Sequence, residues 1–360
     1  MIGIVIGTRP ELIKIYPVVK IFREKRIKYK IIHTGQHYSG NLSKIFLNDF
    51  KILDPDYNLN IGSKPHGEQT AFMMIGLEKL IIKNSFKAIL VYGDTNSALA
   101  ATLVTSKFNN LNLIHLEAGL RSFDKNMPEE LNRRLIDHSS DLLLCPTNIS
   151  KKYLLNEGIP SKKIFVVGNT ICDAIKSPLV KKNLKLKLIN KNYIILTIHR
   201  EENTLDEKNL KYILKSASKI SKKMNYQIIF PVHPKTKKIL NKIKYNQNLI
   251  KCIEPTNYFT FLNMIKFSKL ILSDSGGVQE EACILKTPLV TIRNSTERPE
   301  TLAIGCNILS KVKNKKLYVD AKKIIKRKIS WRNPYGSGKA SQKSYYIINK
   351  FLKKNASKFY

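Results

Sequence analysis

Short apolar, β-favouring runs alternate with longer stretches of helical period along nearly the whole chain. In the first half IGIVI (2–6), YKIIHT (29–34), AILVY (88–92), LNLIHL (111–116), DLLLC (141–145) and IFVVG (164–168) read as strands. Helices are expected from about Pro10, near Leu42, from Thr95 and from Asn148. The rhythm restarts with YIILTI (193–198), followed by a helix from about Leu205. QIIFPV, LIKCIE, KLILS, PLVTI and NILS then follow with helices between them. Strands alternating with helices are the signature of βαβ units and parallel sheets. The stretch SPLVKKNLKLKLINKN (177–192) interrupts the pattern. It predicts two Rossmann-like α/β domains, 1–170 and 171–339. A last helix near the C-terminus follows the second sheet and is assigned to the first domain as 340–360.

Polar signatures close one strand after another: GTRP, TGQH, YGDT, LEAG, CPT and VGNT, then TIHREEN, PVHP, SDSGG and TIRNSTERPE. Ligands of open α/β sheets bind beyond the carboxyl ends of the strands, so the two domains are expected to face a central cleft.

Composition narrows the classes. At 360 residues and 43% hydrophobic, the chain is long enough for two cores. No apolar run approaches the ~18 residues of a membrane span. The N-terminus enters IGIVIG with no basic segment before it, so no secretion signal and a cytoplasmic location are expected. The five cysteines are scattered, with no CxxC pair, and predict neither a disulfide framework nor a zinc site. A net charge of +36 raises the possibility of nucleic acid. The lysines, however, are spread along the chain beside Ile and Asn, which reads as a solvated surface. No nucleic-acid or membrane partner is expected.

Against this basic background, HLEAGLRSFDKNMPEELNRR (115–134) gathers Glu117, Asp124, Glu129 and Glu130 beside Arg121, Arg133 and Arg134. Glu117 and Asp94 end neighbouring strands, and the loop could fold Glu129 over them. Carboxylates that share a site with arginines can hold different protonation states, as a reaction requires when it removes a proton on one face and returns it on the other. A structural pair of Glu117 with Arg121, and dipole complementation by Glu129 and Glu130, are the plainer readings. GTRP opens a helix with Arg9 and Lys14 nearby, a setting for an anion. SDSGGVQEE places Ser275, Gly276 and Gly277 at a helix start able to approach a diphosphate, with Glu281 a turn further in to meet a ribose diol. His199 and His233 follow strands of the second domain. There is no GxGxxG, no P-loop and no HExxH, and no metal or cofactor is expected.

GTRPELIK, HTGQHY, YGDTNS, HLEAGLRSFDKNMPEELNR, GNTICDA, HREEN, SDSGGVQEEA and TERPE, in this order, resemble the non-hydrolysing UDP-N-acetylglucosamine 2-epimerases, and most closely the archaeal branch. The resemblance runs from Ile4 to the closing NPYGSGK. It implies the GT-B fold, a UDP-sugar substrate and a homodimer. It also implies reversible epimerisation at C2, by elimination of UDP to a bound 2-acetamidoglucal and re-addition. Asp94, Glu117 and Glu129 match proton-handling positions, with His199 beside them in the catalytic set. Arg9, Lys14, Arg133 and His199 match those that bind the diphosphate. Ser275, Gly276, Gly277 and Glu281 match the UDP turn, and Phe261 the uracil contact.

A further substrate molecule, held in many bacterial members, would involve Gln36, His37, Gln69, Arg200 and His233. Two of its positions carry Ser39 and Glu68 here instead of Gln and Arg, which implies weak or absent activation by substrate. The alternatives are a hydrolysing 2-epimerase releasing N-acetylmannosamine, an epimerase of a modified UDP-sugar and, from another class, a basic nucleic-acid-binding protein.

Overall fold

The computed structural model describes residues 1–36, 54–178, 180, 192–232 and 234–356; the helix expected near Leu42 lies outside them. The chain divides into two compact units, Met1–Ser177 with Tyr335–Tyr360, and Pro178–Pro334.

Among the described residues the first unit holds a parallel sheet of seven strands: β1 (Ile2–Ile6), β2 (Tyr29–His33), β3 (Tyr57–Asn58), β4 (Ala88–Tyr92), β5 (Asn112–Leu116), β6 (Leu142–Cys145) and β7 (Ile164–Val166). Their spatial order is β3-β2-β1-β4-β5-β6-β7. All five residues of β1 and of β4 are buried, as expected of strands covered on both faces. The helices are α1 (Arg9–Glu24), α2 (His66–Lys83), α3 (Asn96–Thr105), α4 (Pro128–Ser139), α5 (Asn148–Asn156) and α6 (Thr170–Lys176). Their starts are written locally. Thr95 accepts from Ala98 N and Thr147 from Ser150 N, each capping its helix, while Pro10 occupies the first turn of α1. α3 is rich in small residues, nearly all buried, because it packs against both α2 and α4.

The division falls after Ser177, a few residues beyond the expected boundary at 170, because α6 packs against α1. The last helix, numbered α14 below (Ala340–Ala356), packs on α1 and α6. Asp173 of α6 accepts from its first amides, Ala340 N (3.2 Å) and Ser341 N (2.9 Å). This carboxylate ties the returning chain to the first unit.

The second unit repeats the plan with six parallel strands: β8 (Tyr193–Thr197), β9 (Gln227–Pro231), β10 (Ile250–Ile253), β11 (Ile271–Ser273), β12 (Leu289–Thr291) and β13 (Asn307–Leu309), in the order β10-β9-β8-β11-β12-β13. Its helices are α7 (Glu201–Thr204), α8 (Glu207–Met224), α9 (Pro234–Leu240), α10 (Tyr258–Phe267), α11 (Gly276–Ile284), α12 (Pro299–Ala303) and α13 (Leu317–Ile325). In α8, Leu210, Ile213, Leu214, Ala217 and Ile220 face the core at helical spacing while the lysines face out. The helix expected from about Leu205 is α8, with Asp206 capping it through Lys208 N and Asn209 N, and the short α7 before it overlaps the HREEN signature.

Candidate active site

Strand order reverses between β1 and β4 in the first sheet and between β8 and β11 in the second, and ligand sites of open parallel sheets lie at such switch points. The first switch point carries Gly7–Arg9 after β1 and Gly93–Thr95 after β4, with Glu117 ending β5 alongside.

Glu117 has φ +74°, left-handed backbone that costs a residue with a Cβ about 1–3 kcal/mol. Its backbone N–H donates to Leu144 O at the end of β6 (3.1 Å). Its buried carboxylate accepts from Lys14 Nζ and from Asn169 Nδ2 (3.1 Å). Asn169 is in turn fixed by Ile171 N, which donates to Asn169 Oδ1 as α6 begins (3.0 Å). The cation beside Glu117 is therefore Lys14 and not Arg121, which corrects the pairing read from the sequence.

Asp94 is held by Arg133, whose Nε donates to Asp94 Oδ2 (2.8 Å). The same guanidinium reaches Glu130 through Nη1 (2.7 Å). Glu130 is buried and also accepts from Ser122 N (2.8 Å), Ser122 Oγ (2.9 Å) and Phe123 N (3.0 Å), which sets the course of the loop before α4. Glu129, the preceding residue, is half-buried and takes part in none of these bonds. The adjacent glutamates thus differ: Glu130 is scaffold, and Glu129 stands outside this set of bonds.

Arg121 is almost wholly buried and belongs to a different cluster. Its Nη1 donates to Asp137 Oδ2 (2.7 Å), and its Nε and Nη2 form a fork onto Glu157 (2.8 and 2.6 Å). Asp137 Oδ1 also faces His115 Nδ1 (2.7 Å), and His115 Nε2 donates to Gly93 O (2.8 Å). The ring is thus held between two acceptors, a carboxylate and a backbone carbonyl. Burial by itself would raise the Asp137 carboxyl, but the charges and hydrogen bonds of His115 and Arg121 outweigh it and hold it below the usual carboxylate range.

The GTRP turn differs from its expected form. Gly7 N (2.8 Å) and Thr8 N (2.7 Å) both donate to Glu11 Oε2, so these amides are engaged within the chain. Pro10 has no N–H to add. Thr8 Oγ1 and Thr95 Oγ1 also donate to Glu11, which joins the turn after β1 to the one after β4. Burial pushes Glu11 up to about 7 against these bonds. Of the cations expected here, Lys14 is buried on Glu117, and Arg9 is half-buried at the first position of α1.

At the second switch point Asp274, fully buried, accepts from His199 N (3.2 Å), Arg200 N (3.0 Å) and Asn203 Nδ2 (3.1 Å), and pairs with His199 Nδ1 (2.8 Å). These donors override the upward push of burial and hold Asp274 below the usual range. The His199 ring is half-exposed, with Nδ1 fixed and Nε2 directed away from Asp274. Ser275 makes no side-chain cap, leaving the first turn of α11 with its amides uncapped. A Cβ on Gly276 would meet Glu297 Oε1 at 2.2 Å, whereas one on Gly277 would meet nothing within 4 Å. A side chain at position 276 would displace the Glu297 carboxylate, and Gly277 borders open space. Glu281 is buried one turn further along α11, and Phe261 is half-buried in the first turn of α10.

The residues assigned to a second ligand are less open. Gln36 Oε1 accepts from Ser97 N and Oγ, and Gln69 bonds Gly62 O and Asn96 Nδ2, so both buried amides knit loops together. Arg200 donates through Nε to Asp274 O (3.2 Å). Glu68 pairs with Lys64 at the exposed start of α2. His37, Ser39 and His233 lie outside the described residues. Among the described residues, no group of three or more His, Cys, Asp or Glu is placed to hold a metal ion.

Sequence reasoning passed over Glu11, His115, Asp137, Asn169 and Asp274. Glu11, His115, Asn169 and Asp274 sit inside or just beside a strand-end signature, whereas Asp137 lies near the end of α4. Asp137 had a usable signal, a carboxylate four residues after Arg133 on the same helical face.

A family model described as UDP-N-acetylglucosamine 2-epimerase matches residues 20–349. The UDP-N-acetylglucosamine 2-epimerase of Methanocaldococcus jannaschii is 46% identical, over 96% of this chain and 98% of its own length. A UDP-2,3-diacetamido-2,3-dideoxy-D-glucuronate 2-epimerase from Pseudomonas aeruginosa is 36% identical, over 94% and 96%. A crystal structure of the Methanocaldococcus jannaschii enzyme in complex with UDP-GlcNAc and UDP superposes with a TM-score of 0.89 at 45% identity, covering 97% of this chain and 99% of that one.

Asp274 gives a stability prediction. Its folded pKa is depressed, so its contribution is present above the unfolded value of 3.8 and lost as pH falls below it. Asp274→Asn is expected to cost about 2 kcal/mol at neutral pH. Thermal melts from neutral to acid pH should show the gap to wild type closing below that value; a gap independent of pH would contradict the charge-based account.

Proposed function

The chain belongs to the UDP-N-acetylglucosamine 2-epimerase family, and we propose that it interconverts UDP-N-acetylglucosamine and UDP-N-acetylmannosamine without releasing free sugar. The observation that carries this reading is the pair of carboxylates on adjacent strand ends, Asp94 and Glu117, each beside its own cation, Arg133 and Lys14. Two carboxylates held apart by separate partners suit a reaction that takes a proton from one face of a carbon and returns it to the other. In the Arg121 cluster, by contrast, Arg121, His115 and Asp137 are all buried and bonded to one another or to the chain.

In the proposed sequence a carboxylate of the set Asp94, Glu117 and Glu129 removes the C2 proton as the C1–O bond breaks. The C–H electron pair forms the C1–C2 double bond of 2-acetamidoglucal, and the bond to oxygen leaves with UDP. UDP then adds back at C1 while another carboxylic acid of the set protonates C2 from the opposite face. Charge grows on the departing diphosphate, where Arg9, Lys14, Arg133 and the outward Nε2 of His199 would stabilise it. Ser275, the open side of Gly277 and the uncapped start of α11 would take the diphosphate, Glu281 the ribose and Phe261 the uracil. No resident cofactor takes part in this sequence. The 36% identity to an epimerase of a diacetamido sugar acid keeps a modified UDP-sugar as the second reading.

A homodimer belongs to the same proposal. α2 and α4, which both pack on α3, expose Phe72, Ile75 and Ile82, and Leu131 and Leu135. Sedimentation equilibrium reporting a monomer would remove it. Glu68 stands on Lys64 where many bacterial members carry Arg, so rates are expected to follow a hyperbola in substrate. A sigmoidal curve that Glu68→Arg leaves unaltered would contradict this.

The reaction itself is tested by NMR with UDP-GlcNAc in deuterated water. Deuterium at C2 of an intact nucleotide sugar, with UDP-ManNAc appearing, is expected; free UDP with N-acetylmannosamine would place the protein with the hydrolysing enzymes. Asp94→Asn should retain UDP binding by calorimetry and lose turnover by about a hundredfold or more.

A further inference from the structure

Glu117 stands between two residues that share one buried anchor. His115, two residues before it, places Nδ1 on Asp137 Oδ1 (2.7 Å). Gly119, two residues after it, donates its amide to both Asp137 oxygens (3.3 and 3.2 Å). Glu117 itself holds a backbone conformation that a residue with a Cβ rarely adopts, so something must keep it there. The other edge of the His115 ring reaches Gly93 O, the peptide directly before Asp94 (2.8 Å). One turn back along α4 from Asp137, Arg133 grips the Asp94 carboxylate itself. A single imidazole therefore spans from the loop carrying one proton-handling carboxylate to the anchor of the other.

We propose that His115 and Asp137 are positioning residues for the epimerisation: the ring bridges the Gly93 carbonyl to Asp137 and so fixes how far Asp94 stands from Glu117. Neither side chain touches the reacting carbon. Both act through the backbone on either side of the two carboxylates. The groups facing the ring are Asp137 of α4 and the Gly93 carbonyl after β4. Arg121 and Glu157 complete the charge balance behind Asp137. This inference rests on the proton-transfer reading of Asp94 and Glu117.

The test is His115→Asn, whose amide can still donate to Asp137 but is too short to reach Gly93. We expect kcat to fall about a hundredfold, the scale of a 1 Å misplacement, with UDP affinity by calorimetry unchanged. Glu157→Gln disturbs the same cluster through Arg121 and serves as the structural control; it should lower Tm and leave kcat intact. Wild-type kcat in folded His115→Asn overturns the proposal, as does a parallel loss of kcat and UDP affinity in both variants. Where the single variant does not fold, His115→Gln with Asp137→Asn takes its place. Its neutral amides can rebuild the bridge from Gly93 to position 137. Turnover within a few-fold of wild type supports the bridge, and an inactive protein that binds UDP normally refutes it. Failure of wild type to exchange the C2 proton would instead overturn the proton-transfer reading beneath it.

Discussion

One face of α4 sets the geometry on which the first unit's site depends. Glu130, Arg133 and Asp137 lie at i, i+3 and i+7, and all three are buried. Each holds a different piece of chain: Glu130 the loop at Ser122 and Phe123, Arg133 the Asp94 carboxylate, and Asp137 the His115 ring before Glu117 and the Gly119 amide after it. A row of charged groups inside a helix–sheet interface would be destabilising if any were left without a partner. Here the partners are the very loops whose placement the chemistry needs. The left-handed backbone of Glu117 is tolerable because its surroundings are over-determined on both flanks.

This arrangement explains why so basic a chain concentrates carboxylates in one segment. Part of that acidity is scaffold. Glu130 and Asp137 neutralise buried arginines, Glu157 completes the balance, and Glu11 satisfies the amides of the first turn. Asp94 and Glu117 are the two carboxylates the proposed reaction would use, each with a cation at hand. The second unit follows the same logic with one anion, where Asp274 gathers two backbone amides, an asparagine and His199 at its own switch point.

Much of the fold was legible because the strands are short, continuous and apolar, and because polar residues cluster at one end of each. The helix starts were equally plain, since Thr95, Thr147 and Asp206 cap with their own side chains. The short α7 overlaps the polar TIHREEN signature and is too short to show a helical period. The site was legible in outline only. Proximity along the chain suggested that Arg121 serves Glu117, but a strand followed by a tight turn sends the two side chains in different directions. Lys14, remote in sequence, arrives instead from α1. Anchors such as His115 and Asp274 carry no periodic or compositional mark; what distinguishes them is burial, which depends on contacts distant in sequence.

The central claim is that deprotonation at C2 and departure of the diphosphate from C1 belong to one event. Positional isotope exchange with UDP-GlcNAc carrying oxygen-18 in the bridge between C1 and the β-phosphorus tests it most directly. The account predicts that the label scrambles into the non-bridging β-phosphoryl positions as epimerisation proceeds, because the freed diphosphate rotates before re-adding. Epimerisation with the label kept wholly in the bridge would contradict it and require C2 inversion with the C1–O bond intact.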